Sequence, residues 1–366
     1  MTLTILCAGA LRPALETDPT LPAQRPPDAS SPPLRAGSAA SRLLSRANRG
    51  EIVRPTVTVD EPIAHESGDE AWLRSRFSVA ERAAVAAAAA CEVDGTPRAL
   101  LLRPVHLHAG LDHLTLDPPE QLALSEPDSQ SLHQAACEWL DSEPVRLRRL
   151  STHLWELVEI DPERTRFAEL RAASSSRASG RNIDVWLPRG PSARNWRRLM
   201  NDVQMLWHTH PVNAARELDG LKPVNALWLE GGVPVSASRP FATIFSNDSV
   251  LRGLAKLGGA DVDDFDADCG DALEREPAPS LIDLPFWRTA LADGTGPAWR
   301  QAWEQFERWV DLIESVSPSS RSRRWEIVLT GDHSARTFDL SRAMRWRLWR
   351  RSVSAQRLLD SPADGL

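Results

Sequence analysis

With 366 residues, 42% of them hydrophobic and 25% charged, the chain is long enough for one large or two medium globular domains. A net charge of -7 argues against a general nucleic-acid binder, and no apolar run approaches the roughly 20 residues of a membrane span. Four scattered cysteines (Cys7, Cys91, Cys137, Cys269) with no CxxC pair argue against a structural zinc or dithiol site and fit a reducing, cytoplasmic setting, and the absence of Tyr excludes phenolic catalysis.

The start carries an apolar run with no basic flank before it, so Thr2–Leu6 predicts a buried β-strand rather than a signal peptide. Residues 17–39 are crowded with Pro, Ser and Ala and predict a loop. Helices are expected at 41–49, from Asp69 through Leu73, and at 79–91, where Ser78 is a cap candidate. Residues 98–107 and 112–116 read as a hairpin around Ala109-Gly110, followed by a helix at 126–141 and strands at 145–150 and 154–159. Residues 171–181, RAASSSRASGR, predict a flexible link.

Trp196, Leu199, Met200, Val203, Leu206 and Trp207 recur at helical spacing after Ser192, and Pro211 is expected to stop that helix. Asn225–Leu229 reads as a strand ending at Gly231-Gly232, and 249–257 as a helix closed by Gly258-Gly259. An amphipathic helix at 299–314, a strand at 325–330 and an Arg/Trp-rich tail at 342–351 complete the chain. Alternating strands and helices imply an α/β architecture. The expected division is an N-terminal core part (1–94), an α+β insertion (95–190) and a C-terminal core part (191–366).

Polar residues cluster in Asn201–Val233. His208 and His210 are either metal ligands or helix-end hydrogen-bonders. Asn213, Arg216 and Asn225 suit either an anion, held by a guanidinium fork and amides, or a structural turn. Asp332-His333 ends a strand, where a divalent metal or a plain turn would fit. Ser67 is a candidate nucleophile without a nucleophile-elbow motif. The acidic run 261–271 lacks the order of a calcium loop and reads as solvated. The Arg/Trp tail would either pack its tryptophans on the core or stack on nucleic acid or a membrane surface.

His210-Pro211-Val212-Asn213, Arg216, Gly220, Pro223-Val224-Asn225, Leu227-Trp228-Leu229 and Gly231-Gly232, together with 248–262 and VLTGDHS (328–334), resemble archaeal-type cofactor-independent phosphoglycerate mutases of the alkaline phosphatase superfamily. RPVHL (103–107), NDVQMLWHTHPVN (201–213), PVNALWLEGG (223–232) and RWRLWRRSV (345–353) also resemble a proteobacterial group of RpfE-type regulatory proteins. The resemblance implies an alkaline-phosphatase-like sheet flanked by helices with a smaller α+β insertion. It implies substrate contacts from His210, Asn213, Arg216 and Asn225, and a metal pair at Asp332 and His333.

The departures are specific. The first strand ends Cys7-Ala8-Gly9 where the mutases carry a metal-binding Asp; the nucleophile's Gly-Ser-Asp turn is replaced by Ser67-Gly68-Asp69; and LPFWRTALADGTGPAW (284–299) lacks the mutases' His. Two functions follow as expectations. One is a catalytically degenerate regulatory protein with an anion pocket, whose partner is a phosphorylated metabolite or a protein, with no nucleic acid or membrane expected. The other is an active Mn- or Mg-dependent mutase or phosphohydrolase, drawing carboxylates from Asp60, Asp69, Asp283 or Asp293.

Overall fold

Thirteen strands and seven helices of at least two turns are traced among the described residues. In a computed structural model, these are 2–11, 38–54, 66–80, 85, 88–94, 100–110, 113–141, 143–160, 167, 170–188, 191–232, 235–266, 279–288, 296–316, 324–331, 334–341 and 343. The strands are β1 (Thr2–Cys7), β2 (Asn48–Val53), β3 (Leu100–Val105), β4 (Leu107–Ala109), β5 (Leu114–Leu116), β6 (Val145–Ser151), β7 (Leu154–Glu159), β8 (Ala226–Gly231), β9 (Thr243–Phe245), β10 (Asp261–Asp263), β11 (Ser280–Asp283), β12 (Arg324–Thr330) and β13 (Ala335–Leu340). The helices are α1 (Ala39–Arg46), α2 (Gly68–Arg76), α3 (Glu126–Leu140), α4 (Ala193–His208), α5 (Pro211–Leu218), α6 (Ser249–Gly258) and α7 (Gly296–Val316).

The chain divides into two units. The first gathers the described residues of Met1–Pro55, Glu66–Phe77 and Arg239–Leu366. Its sheet has the order β10-β9-β11-β1-β12-β13-β2. The first five strands run parallel, and β13 is antiparallel to both neighbours. β1 lies near the middle, and Leu3–Cys7 are all buried, as a parallel strand covered on both faces requires. Leu3, Ile5, Ile282, Ile327 and Leu329 meet Trp303, Phe306, Val310 and Ile313 of α7, and Leu43 and Leu44 of α1, in one core. Alternation sends Thr4 and Glu326 to the other face, where Arg76 of α2 bonds Glu326 at 2.8 Å. Helices therefore flank both faces.

Local sequence explains where these helices begin. Ser67 and Glu70 form a reciprocal capping box at the start of α2. Asp248 caps α6 through Leu251 N–H, and Gly259 closes that helix at φ 74. Asp261–Asp263, expected as acidic loop, forms the short edge strand β10 beside β9.

The second unit takes the described residues of Ser78–Ser238. Its antiparallel sheet, β6-β7-β3-β8, carries α3 and α4 on one face through Leu132, Ala136, Trp196, Leu199, Val203 and Trp207. Residues 191–238 thus group with 100–160, because β8 pairs with β3 along its whole length, from Leu100↔Gly231 to Val105↔Ala226. The segment 171–181 is no free link. Ala173 and Ala178 pack with Ile183, Trp186, Val105 and Trp228, and Ser175 N–H donates to Glu230. Pro211 does not simply stop a helix: it opens α5 at its first position, where the missing N–H costs nothing. The expected α/β sheet flanked by helices, with a smaller α+β part, is what the structure shows.

Candidate functional site

Two groups of side chains correspond to the expected sites, one in each unit. In the second unit, the α4–α5–β8 connection positions His210, Asn213, Arg216 and Asn225. His210 caps α5, its Nδ1 accepting from Val212 N–H at 3.2 Å, and partial burial holds its pKa below the ordinary histidine value. Asn213 is 3% exposed. Its Nδ2 donates to Trp207 O and Val224 O, and its Oδ1 accepts from Val224 N–H, all at 2.8 Å. Arg216 is 2% exposed and donates to the carbonyls of Lys222, Ala123 and Leu122 and to Asp128. Asn225 pairs with both backbone groups of Leu107, at 2.7 and 2.9 Å.

These are clasps on the chain's own backbone. Both N–H donors of Asn213 are used, and Arg216 spends its fork on carbonyls that no strand or helix satisfies. The tightly spaced polar pattern of 210–225 thus has a folding role in full view. His208 stands exposed at the end of α4.

In the first unit, the carboxyl ends of the parallel strands share one edge, the usual ligand side of an open α/β sheet. β1 ends at Cys7 beside Leu329, and Leu6 stands beside Asp283, the last residue of β11. Asp283 is 1% exposed. Both its oxygens accept from Arg288 Nη1, at 2.7 and 2.6 Å, and Ser246 Oγ donates to it at 2.7 Å. Arg288 Nε also lies 3.8 Å from Asp248. Burial pushes the Asp283 carboxyl above its ordinary value, and Arg288 opposes that rise. Burial also works against the Arg288 charge, but the fields of Asp283, Asp248 and Asp69 outweigh it and raise the guanidinium pKa. Burial, helped by the Asp283 charge, pushes the Cys7 thiol well up, so it stays protonated.

The same edge gathers Ser67 and Asp69. Gly68 N–H donates to Gly331 O at 2.7 Å, so the start of α2 is fastened to the turn between β12 and β13. Asp332 and His333, which follow Gly331 in the sequence, lie outside the described residues, as do Asp60, Asp293 and the Arg/Trp tail at 342 and 344–351. A Cβ on Gly68 would fall 2.2 Å from Ser334 O, which explains why glycine stands there. Gly68→Ala is expected to cost about 1–3 kcal/mol by forcing the turn away from α2, read as a lowered Tm in thermal denaturation. Ser67, 7% exposed, accepts from Glu70 N–H at 3.3 Å.

A divalent cation does not fit the described side chains at this edge. Cys7 offers a buried sulfur, a soft donor that suits Mn²⁺ or Mg²⁺ poorly, and Asp283 already holds a guanidinium on both oxygens. Among the described residues, no three His, Cys, Asp or Glu converge in a metal-holding geometry. Asp283 was among the carboxylates expected from sequence; Arg288 and Ser246 were not. Only tertiary pairing marks them, although an Arg shortly after a strand-ending Asp is a readable hint.

No family model matches the chain. A 2,3-bisphosphoglycerate-independent phosphoglycerate mutase of Methanothrix thermoacetophila is 34% identical over 176 residues, which cover 42% of this chain and 44% of that protein. One from Methanosarcina mazei is 26% identical over 102 residues, 26% of each chain. The chain thus matches less than half the length of either relative, and the matched segments are homologous to phosphoglycerate mutases of this type. Among solved structures, the PH0037 protein of Pyrococcus horikoshii shares the fold, with a TM-score of 0.50 over 97% of this chain and 92% of that one at 13% identity. A cofactor-independent phosphoglycerate mutase from Thermoplasma acidophilum aligns with a TM-score of 0.40 at 13% identity, covering 93% and 89%.

Proposed function

We propose that this chain is a phosphoglycerate-mutase-like protein without mutase turnover, acting through binding in a regulatory role, as its resemblance to RpfE-type regulatory proteins implies. The observation that carries the reading is the Asp283–Arg288 pair. A buried carboxylate at the carboxyl edge of the central strands is neutralised by the protein's own cation, at 2.6–2.7 Å on both oxygens. A guanidinium in that place repels a divalent metal ion, and metal-assisted phosphoryl transfer needs carboxylates that are free to ligate. The partner is then a protein or a phosphorylated metabolite. The free thiols of Cys7, Cys91 and Cys137 suit the reducing cytoplasm.

One observation favours the enzyme reading instead. The Gly68–Gly331 bond holds the start of α2 at the end of β12, the strand that Asp332 and His333 follow in the sequence. The mutases that this part of the chain resembles carry a metal-binding Asp-His pair after the corresponding strand, and a metal beside a serine is what phosphoryl transfer of that kind uses. Calorimetric titration with Mn²⁺ separates the two. The binding-protein reading expects no saturable heat. Saturable binding that disappears in Asp332→Ala would favour the enzyme.

A further inference from the structure

α5 is built inside out. Its buried residues are the polar Asn213 and Arg216, at 3% and 2% exposure, while Pro211, Ala214, Ala215 and Leu218 face solvent. At 100° per residue, those four form one stripe directly opposite the buried pair. Leu218 is 90% exposed, Leu221 just beyond it 40%, and Met205 in the last turn of α4 76%. The clasp explains why Asn213 and Arg216 point inward. It leaves the outward apolar stripe without a reason.

Charge supplies the missing half. Glu217 and Asp219 stand exposed at the C-terminal end of α5, where the helix dipole is already negative, and neither has a cation partner among the described residues. The N-terminal end is positive by its dipole, has no acidic residue in its first turn, and is flanked by His208 and His210.

From this we infer that α5 is the centre of a two-fold self-association surface whose occupant is α5 of a second copy of this chain, lying antiparallel. A two-fold axis places each acidic C-terminal end against the N-terminal end of the other helix, which relieves both. Leu218 of each copy then covers Pro211 of the other. Ala214 and Ala215 sit at the crossing, where small side chains let two helices approach closely. Each half of the stripe then faces the other half of its copy, with each acidic C-terminal end against the positive end of the helix dipole, as an isologous contact requires. An eight-residue helix is about 12 Å long, so the contact falls below the roughly 800 Å² per partner of a standard interface. The dimer is therefore weak and reversible, dissociating on dilution.

Sedimentation velocity of the full chain across a concentration series tests this. The wild type is expected to shift toward dimer as concentration rises. Leu218→Asp, at a solvent-facing position, is expected to weaken the dimer at least about tenfold, with only the small drop in Tm that an added acid at a helix C-terminus causes. The double change Glu217→Lys with Asp219→Lys is expected to weaken it several-fold, and Arg194→Glu, exposed elsewhere on α4, to leave it unaltered. A wild type that stays monomeric at hundreds of micromolar overturns the proposal. So does self-association that Leu218→Asp does not change.

Discussion

Replacing Arg216 with Met is expected to destabilise the second unit by about 3–5 kcal/mol, seen as a lowered urea midpoint with no ligand present. The guanidinium reaches three backbone carbonyls and Asp128 from a position that is 2% exposed. Met fills similar volume but donates nothing, so the carbonyls of Leu122, Ala123 and Lys222 lose partners that water does not readily replace. Lys is expected to recover only part of the loss, because a single ammonium cannot span a fork of acceptors. A residue whose main task is to hold a ligand would show the opposite pattern, with stability kept and binding lost.

Replacing Arg288 with Met is expected to cost the first unit about 3–5 kcal/mol at neutral pH, because Asp283 would be left buried and charged. The sign of the pH dependence follows from the raised Asp283 pKa. A carboxyl held above its ordinary value contributes stability that is full below that ordinary value and lost as pH rises through the raised one. The Met variant removes the opposing guanidinium and pushes the carboxyl further up, so its deficit is largest near neutrality and shrinks on acidification. Adding Asp283→Asn should restore much of the loss, and a double-mutant cycle by chemical denaturation measures the coupling. Equal deficits at acid and neutral pH would show that Arg288 acts through packing alone.

Much of the local structure is legible in the sequence because periodicity and capping are local signals. The stripe from Trp196 to Trp207 names the buried face of α4, and Gly258-Gly259 marks the end of α6. Composition misleads where small residues serve packing. Residues 171–181 look like a linker, yet Ala173 and Ala178 are small because Trp186 and Trp228 lie against them. The grouping of 191–238 with the β3 region depends on one non-local strand pair, which no window of sequence displays. The candidate site divides the same way. The motif around Asn213 and Arg216 is visible as a pattern, but that it grips backbone emerges only from three-dimensional distances. Asp283 is readable as a candidate carboxylate, whereas the short strand that it ends and its bond to Arg288 emerge only from the fold.

These distances place the chain's chemistry in a fold shared with the PH0037 protein, with homology to phosphoglycerate mutases over part of its length. The reading of that chemistry turns on whether the carboxyl edge of the first sheet performs phosphoryl transfer. The most direct measurement is turnover of 3-phosphoglycerate to 2-phosphoglycerate by the purified full chain, with Mn²⁺ or Mg²⁺ supplied. The account predicts no turnover above a protein-free control. Metal-dependent turnover that is lost in Ser67→Ala would contradict it.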